Sequence, residues 1–325
     1  MSAFRAQLRW LSTGAEINPF ARWNPLRPMV NWYYAQLMDR YMDRELEHRF
    51  EEYQKNLGIE GAREGKSRPV VDLALDEYLR EKSGSDAART MDPVFKKSAI
   101  SQMKIFILAG HDTSSSTICY IFHLLSKNPL ALRRVRTEYD DVFGTDLSAT
   151  QDKITENPHT LNQLPFTVAV IKEAMRLFPA ASTIRFGEPG FSLTEDGRQY
   201  PAGGFILWSL HHAMHREPLY WPRPNDFVPE RWLVPKGDPL YPVKGAWRPF
   251  EFGPRNCIGQ ELSMLEIKIV MVMTLREFNI KSCYEEWDQV RSERRTRTVD
   301  GERAYQVLHG RPADGFPCRI TVAPR

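Results

Sequence analysis

The sequence predicts a mainly α-helical fold with small β-sheets. Long runs repeat apolar residues at helical spacing, the longest from Asp92 to Lys127. Short β-prone runs punctuated by turn residues gather between residues 191 and 210. With 325 residues, 42% hydrophobic and 26% charged, the chain can bury a large core and is neither disordered nor collagen-like. A single domain over residues 1–325 is the expectation.

The elements follow in order. After a Pro- and Trp-containing stretch from Asn18 to Pro28, residues from Val30 to Gln54 fall at helical period, with Asp39, Arg40, Asp43, Arg44 and Glu45 as a charged face. Two readings stand for this helix: an ordinary amphipathic surface helix, or an interfacial aromatic patch made by Trp23, Trp32, Tyr33 and Tyr34. Gly58 to Pro69 and Lys82 to Met91 read as loops around a short helix from Val71 to Leu79, and neither reads as a domain boundary. Asp92-Pro93 opens the longest helix, with aspartate as N-cap and proline at the first helical position. At ~1.5 Å per residue it spans on the order of 50 Å. Asn128-Pro129 repeats that capping pattern before Leu130 to Phe143, which Gly144 ends, and Pro165 to Phe178 is closed by Pro179. Phe191 to Tyr200 reads as a hairpin with Asp196-Gly197 at its turn, and Gly204 to Leu210 as a further strand. Leu262 to Phe278 is helical, with strands from Asn279 onward.

Charge and cysteine usage exclude several classes. Lysine plus arginine total 44 against 41 acidic residues, and a net +3 argues against nucleic acid as a partner. The basic run Arg291 to Arg297 is a solvated turn on this reading. Cys119, Cys257, Cys283 and Cys318 are scattered without a Cys-x-x-Cys pair, so a disulfide framework and a zinc ribbon are both disfavoured and a reducing compartment fits. His211, His212 and His215 lack a carboxylate or cysteine at ligand spacing, which disfavours zinc. No apolar run reaches the ~20 residues needed to span a bilayer, and the first residues lack a signal-peptide core.

Three local patterns carry chemistry. Phe250-Glu-Phe-Gly-Pro-Arg-Asn-Cys-Ile-Gly259 sets one cysteine between two glycines, ahead of an apolar helix whose positive dipole end favours the thiolate of Cys257. Ala109-Gly-His-Asp-Thr113, followed by three serines, places polar residues and a glycine inside an otherwise apolar helix, which is locally unfavourable and calls for a reason. Glu173 and Arg176 share a helix face at i and i+3.

The complete Phe-x-x-Gly-x-Arg-x-Cys-x-Gly pattern resembles the cysteine loop of the cytochromes P450. Residues 109–113 resemble that family's oxygen-activation motif, Glu173-x-x-Arg176 its Glu-x-x-Arg, and Phe227-Val-Pro-Glu-Arg231 its Pro-Glu-Arg-Phe signature with Trp232 for phenylalanine. His215-Arg-Glu-Pro218 is similar to the family's His-Arg-Asp-Pro. The resemblance implies a P450 fold, here N-terminally truncated: the chain is expected to be the C-terminal part of a longer protein, without its anchor and first helices. It implies haem b with iron axially ligated by Cys257, and Phe250, Gly253, Gly259, Ala109 and Gly110 close to the macrocycle. Arg255 is implied at a propionate, and Arg185 at a second one, although Arg185 reads equally well as a plain exposed arginine. Asp112 and Thr113 are implied in proton delivery, while His111, the variable position, is expected to be exposed or capping. Glu173, Arg176 and Arg231 would form a buried triad that pins the cysteine loop. Ser182 to Ile184 and Tyr305 to Leu308 would line the substrate pocket. Trp23-x-x-x-Arg27 imitates the family's propionate-binding pair but is rejected, because Pro25 would interrupt the required helix.

The implied activity is a fungal-type monooxygenase placing one oxygen atom of O2 into a C–H bond of a small hydrophobic, secondary-metabolite substrate. NADPH would serve only indirectly, through NADPH-cytochrome P450 reductase, docking near Lys244, Arg248 and Lys268. The full-length protein is expected at the cytoplasmic face of the endoplasmic reticulum membrane, in contact with the bilayer. Two alternatives stay open: a haem-thiolate isomerase or dehydratase, and a non-catalytic fragment that does not retain haem.

Overall fold

The computed structural model describes residues 24–55, 69–81, 90–290, 305–306 and 311–323. Two compact units emerge, Met1–Ala109 and Gly110–Arg325. The division falls inside the longest helix, in neither of the two loop segments.

The first unit holds α1 (Leu26–Lys55), α2 (Val70–Glu81) and the start of α3 (Pro93–Lys127). Leu46, Phe50, Leu75 and Tyr78 form its buried cluster, against which Phe95 and Ala99 pack. Tyr78 stacks on Phe95 with ring centres 4.1 Å apart, and its hydroxyl accepts from the Asp92 N–H at 2.8 Å. Asp92 accepts in turn from the Val94 N–H at 2.7 Å, the cap that its spacing predicts. Trp32, Tyr33, Leu37 and Tyr41 lie exposed on α1, while Trp23 lies outside the described residues.

The second unit contains the rest of α3, then α4 (Pro129–Phe143), α5 (Thr150–Glu156), α6 (Pro165–Leu177), α7 (His211–Met214), α8 (Gln260–Leu275) and α9 (Tyr284–Val290). Its strands pair antiparallel in twos: β1 (Thr183–Phe186) with β4 (Ile206–Ser209), β2 (Ser192–Glu195) with β3 (Arg198–Pro201), β5 (Phe278–Ser282) with β8 (Cys318–Val322), and β6 (Tyr305–Gln306) with β7 (Arg311–Pro312). Asp196 and Gly197, at φ +48 and +74, make the β2–β3 turn that the Asp-Gly pair predicts. One core joins Tyr120, Ile121 and Leu125 of α3, Val135 and Tyr139 of α4, Val170 and Ala174 of α6, and Ile267 and Met271 of α8. The helix bearing residues 110–113 and the helix that follows Cys257 are thus built into the same packed interior.

Helix ends differ from expectation where a neighbour supplies the partner. Asn128 does not cap α4; its amide donates to the Leu124 carbonyl at 2.7 Å and closes the last turn of α3. The residue before α6, Leu164, has no side-chain acceptor, so Glu138 of α4 takes the Phe166 N–H at 2.6 Å, the Thr167 N–H at 2.9 Å and the Thr167 hydroxyl at 2.6 Å. Helix α8 stops at Leu275 because Phe278 enters β5, and Arg136 holds that exit by donating to the carbonyls of Leu275 at 2.7 Å and Phe278 at 3.1 Å. Helices α5 and α9, seven residues each, are too short for a period to show in sequence.

Candidate functional site

Glu173, Arg176 and Arg231 meet in one buried charged cluster. Glu173, Arg176 and Arg231 are all 0% exposed. Arg176 grips the Glu173 carboxylate with two bonds of 3.0 and 2.8 Å, and Arg231 Nε reaches it at 3.1 Å. The remaining acceptor capacity of Glu173 is filled by the Val228 N–H at 3.0 Å and the Trp232 indole N–H at 3.1 Å. Two arginines against one carboxylate leave a surplus cation in a dry place, so the spare guanidinium hydrogens need acceptors. Backbone carbonyls supply them: His215, Pro224 and Asp226 for Arg176, and Pro222 and Arg223 for Arg231. Burial lowers the pKa of Arg231, and the adjacent Glu173 works in the opposite direction. The triad therefore staples residues 215–231 onto α6.

From the triad an aromatic ladder runs to the cysteine loop. Ring centres of Trp221 and Trp232 lie 6.0 Å apart, Trp232 and Trp247 5.4 Å, and Trp247 and Phe250 6.0 Å. The Trp247 indole N–H donates to the Lys172 carbonyl at 3.1 Å, which fixes this ladder to α6 one residue before Glu173. His215, fully buried, accepts the Arg248 N–H at 2.9 Å, and burial together with His211 and Arg176 pushes its pKa down to about 3. It is a neutral acceptor that receives the chain as it enters the loop.

The loop itself is held at its ends and open along its length. The Cys257 N–H donates to the Phe250 carbonyl at 2.8 Å, and a single turn of 3-10 helix, Gly253–Arg255, fills the bend. Gly253 stands at φ +77, where a side chain would be strained. Residues Phe252 to Ile258 are exposed, Cys257 among them, and Arg255 has no hydrogen-bond or ion-pair partner among the described residues. Helix α8 starts at Gln260, three residues beyond Cys257.

Added Cβ atoms test what the glycines are for. At Gly110 and Gly253 a Cβ meets nothing within 4 Å, and at Gly259 the nearest atom is Cys257 Sγ at 3.9 Å, an ordinary contact. No protein neighbour requires glycine at 110 or 259. The space beside them is free, as a flat ligand brought close to the backbone would require. A lone exposed thiol, an unpartnered guanidinium and open space at these glycines fit haem with a thiolate ligand.

On α3, Ala109 and Gly110 are exposed, His111 is exposed as expected, and Asp112 and Thr113 are half-buried. The Asp112 carbonyl accepts the Ser115 hydroxyl at 3.2 Å and the Thr113 carbonyl the Thr117 hydroxyl at 2.9 Å. Ser115 and Thr117 thus satisfy their hydroxyls within the helix, whereas the buried Ser114 hydroxyl has no hydrogen-bond partner among the described residues. Arg185 lies exposed on β1, and its guanidinium donates to the neighbouring Ile184 carbonyl at 2.9 Å.

Some expectations change. Lys268 is not a docking contact: it is 8% exposed, and its ammonium donates to the Leu161 carbonyl at 3.1 Å, because α8 turns that face into the core. Arg248 is committed to Glu251 at 3.0 and 2.5 Å, whereas Lys244 is exposed. Thr183 and Ile184, expected only as pocket lining, belong to strand β1. Tyr305 lies in β6, and Leu308 falls outside the described residues. Sequence reasoning missed Glu251 and His211, which meet across 40 positions, a separation that no local spacing can signal.

Comparison with known proteins bears on the same residues. The family model for cytochrome P450 matches residues 9–307. The cytochrome P450 monooxygenase polC of Polytolypa hystricis is 45% identical over 325 residues, which cover 99% of this chain and 57% of that protein. The cytochrome P450 monooxygenase acrF of Aspergillus aculeatus is 34% identical over 346 residues, 98% of this chain and 66% of that protein. A crystal structure of a cytochrome P450, CYP102L1, superposes with a TM-score of 0.67 at 20% identity, covering 99% of this chain and 61% of the other. The chain belongs to the cytochrome P450 family, whose cofactor is haem with its iron ligated by a cysteine thiolate. It spans about three fifths of the length of the relatives it matches.

Proposed function

We propose that this chain is the haem-binding portion of a monooxygenase that places one oxygen atom of O2 into a C–H bond of a small apolar molecule, with electrons from NADPH delivered by a reductase. The Cys257 loop carries the reading: its thiol is exposed, its backbone is tied back to Phe250, and the space beside its glycines is free. The two fungal relatives named as monooxygenases support the reaction class, and secondary metabolism as its setting is part of the proposal.

Haem supplies the iron at which dioxygen is activated. The Cys257 thiolate would hold the iron, and Phe250, Gly253 and Gly259 would shape the surface beside it. Arg255, without a partner among the described residues, would take a propionate, and Arg185, on an exposed strand, the second. Ala109 and Gly110 leave the opposite side uncrowded. The Thr113 hydroxyl and the half-buried Asp112 carboxylate would supply the hydrogen bond and the proton path that oxygen activation needs. Glu173, Arg176 and Arg231 do no chemistry; they hold the loop in place.

No helix among the described residues is long and apolar enough to cross a membrane. Placement at the cytoplasmic face of the endoplasmic reticulum is proposed for the whole protein, with the exposed aromatic face of α1 as its membrane contact. Asp112 and Thr113 favour oxygen activation over isomerase or dehydratase chemistry, which has little need of proton delivery. With NADPH and a P450 reductase, the haem-loaded chain should place one atom of isotope-labelled O2 into an apolar small molecule. Thr113→Ala should divert electrons into hydrogen peroxide. Undiminished product per NADPH in Thr113→Ala would remove the proton-delivery role, and no labelled product from a thiolate-ligated chain would favour the isomerase reading.

A further inference from the structure

Glu251 is a charged residue at the head of the cysteine loop that the oxygen chemistry does not use. It follows Phe250, whose carbonyl receives the Cys257 N–H, and it stands at φ +59, a left-handed conformation unfavourable for a residue other than glycine. Something must hold it there. The exposed segment from Phe252 to Ile258 cannot do so by burial.

The carboxylate collects donors from three separate places. His211 Nε2, at the start of α7, lies 2.8 Å from it, Arg248 contributes bonds of 3.0 and 2.5 Å, and the Thr183 hydroxyl of β1 completes the set. Burial alone would raise the pKa of Glu251, but these hydrogen bonds bring it down to about 2. His211 is 1% exposed, and its Nδ1 lies 3.0 Å from the Ala181 carbonyl. Both ring nitrogens of His211 thus face acceptors, a carbonyl and a carboxylate. His215 stacks on His211 with ring centres 5.7 Å apart and takes the opposite role, accepting from the Arg248 N–H. Thr183 and Arg185 occupy alternate positions of β1, so the bonds to Glu251 also tie the loop to the strand bearing Arg185.

We propose that Glu251 and His211 act together as a positioning clamp, locking the turn at the head of the cysteine loop to residues 181–183 and thereby setting the orientation in which Cys257 meets haem iron. The last step of this proposal rests on the haem-thiolate reading; the clamp itself does not. Neither residue touches the reacting atoms, and both act through the loop.

Hydrogen exchange of the full chain without haem tests the clamp. In Glu251→Gln and in His211→Gln, exchange in the peptide from Phe250 to Ile258 should rise by about tenfold, as expected for loss of a charge-assisted hydrogen bond, with no further rise in the double variant. The peptide spanning α6 should be unchanged. Thr183→Val removes a different donor from an accessible strand and should raise exchange in the same peptide by a smaller factor. Unchanged loop exchange in the single variants overturns the proposal, as does an additive double variant or a loss of protection throughout the chain in all of them. With haem bound, the ratio of thiolate to neutral-thiol species in the ferrous CO spectrum should fall in step with loop exchange. An unaltered ratio overturns the link to Cys257 orientation. A wild-type chain without the thiolate band overturns the haem reading alone, because exchange still decides the clamp.

Discussion

Replacing Glu173 by glutamine removes one negative charge from a site that contains two guanidinium groups and no water-exposed surface. The carboxylate receives five hydrogen bonds, two from Arg176 and one each from Arg231, Val228 and Trp232. Glutamine keeps the shape but offers one acceptor oxygen, and its amide hydrogens face donors. Arg176 and Arg231, each 0% exposed, would keep their backbone carbonyl partners and lose the one buried counter-charge among the described residues. Breaking a buried ion pair on one side costs about 3–5 kcal/mol, a large share of the ~5–15 kcal/mol that a folded domain commands. With a urea slope of about 2–3 kcal/mol per molar, the unfolding midpoint should fall by about 1–2.5 M. Trp232 bonds directly to Glu173 and Trp221 lies under both guanidiniums, so tryptophan fluorescence reports the change where it occurs. A midpoint within about 0.3 M of wild type would refute the reasoning, since that outcome requires solvent or another anion at the site.

Two further outcomes follow from the structure. Glu138→Ala strips the N-terminus of α6 of its only side-chain cap and should cost about 1–2 kcal/mol in urea unfolding, whereas an ordinary exposed glutamate would cost nothing measurable. His215, whose pKa of about 3 in the fold lies below the ~6.5 of an unfolded chain, binds fewer protons when folded. Its contribution is therefore complete above about pH 6.5 and lost as pH falls towards 3, at up to about 1.4 kcal/mol per pH unit. Glu251, with a folded pKa of about 2, contributes above its unfolded value of ~4.3 and loses that contribution only below it, so the window from pH 6.5 to 4.5 isolates the histidine. His215→Asn should flatten the dependence of urea midpoint on pH in that window, and an equally steep dependence would contradict the assignment.

What could be read from the sequence was what local spacing encodes. The cysteine loop, the Glu173/Arg176 pair and the Asp196-Gly197 turn are each written within ten residues; in the fold Arg176 donates to Glu173, Asp196 and Gly197 turn at positive φ, and a 3-10 turn precedes Cys257. The longest helix was visible because Asp92-Pro93 signals its start and 35 residues hold one period. Partners brought together by folding were not visible. Glu138 caps a helix 28 residues away, Lys268 turns inward to Leu161, and His211 finds Glu251 only once α7 packs beside the loop. Asn128 shows the converse error: its position suggests an N-cap, but the carbonyl of Leu124 was the nearer unsatisfied group.

The proposed function requires one covalent link, between Cys257 and haem iron. Its most direct test is the absorption spectrum of the reduced, CO-bound full chain loaded with haem, recorded for wild type and for Cys257→Ser. Wild type should show the red-shifted Soret band of a thiolate-ligated complex, and the variant should lose it. Persistence of that band in Cys257→Ser, or its absence from haem-loaded wild type, would contradict the link.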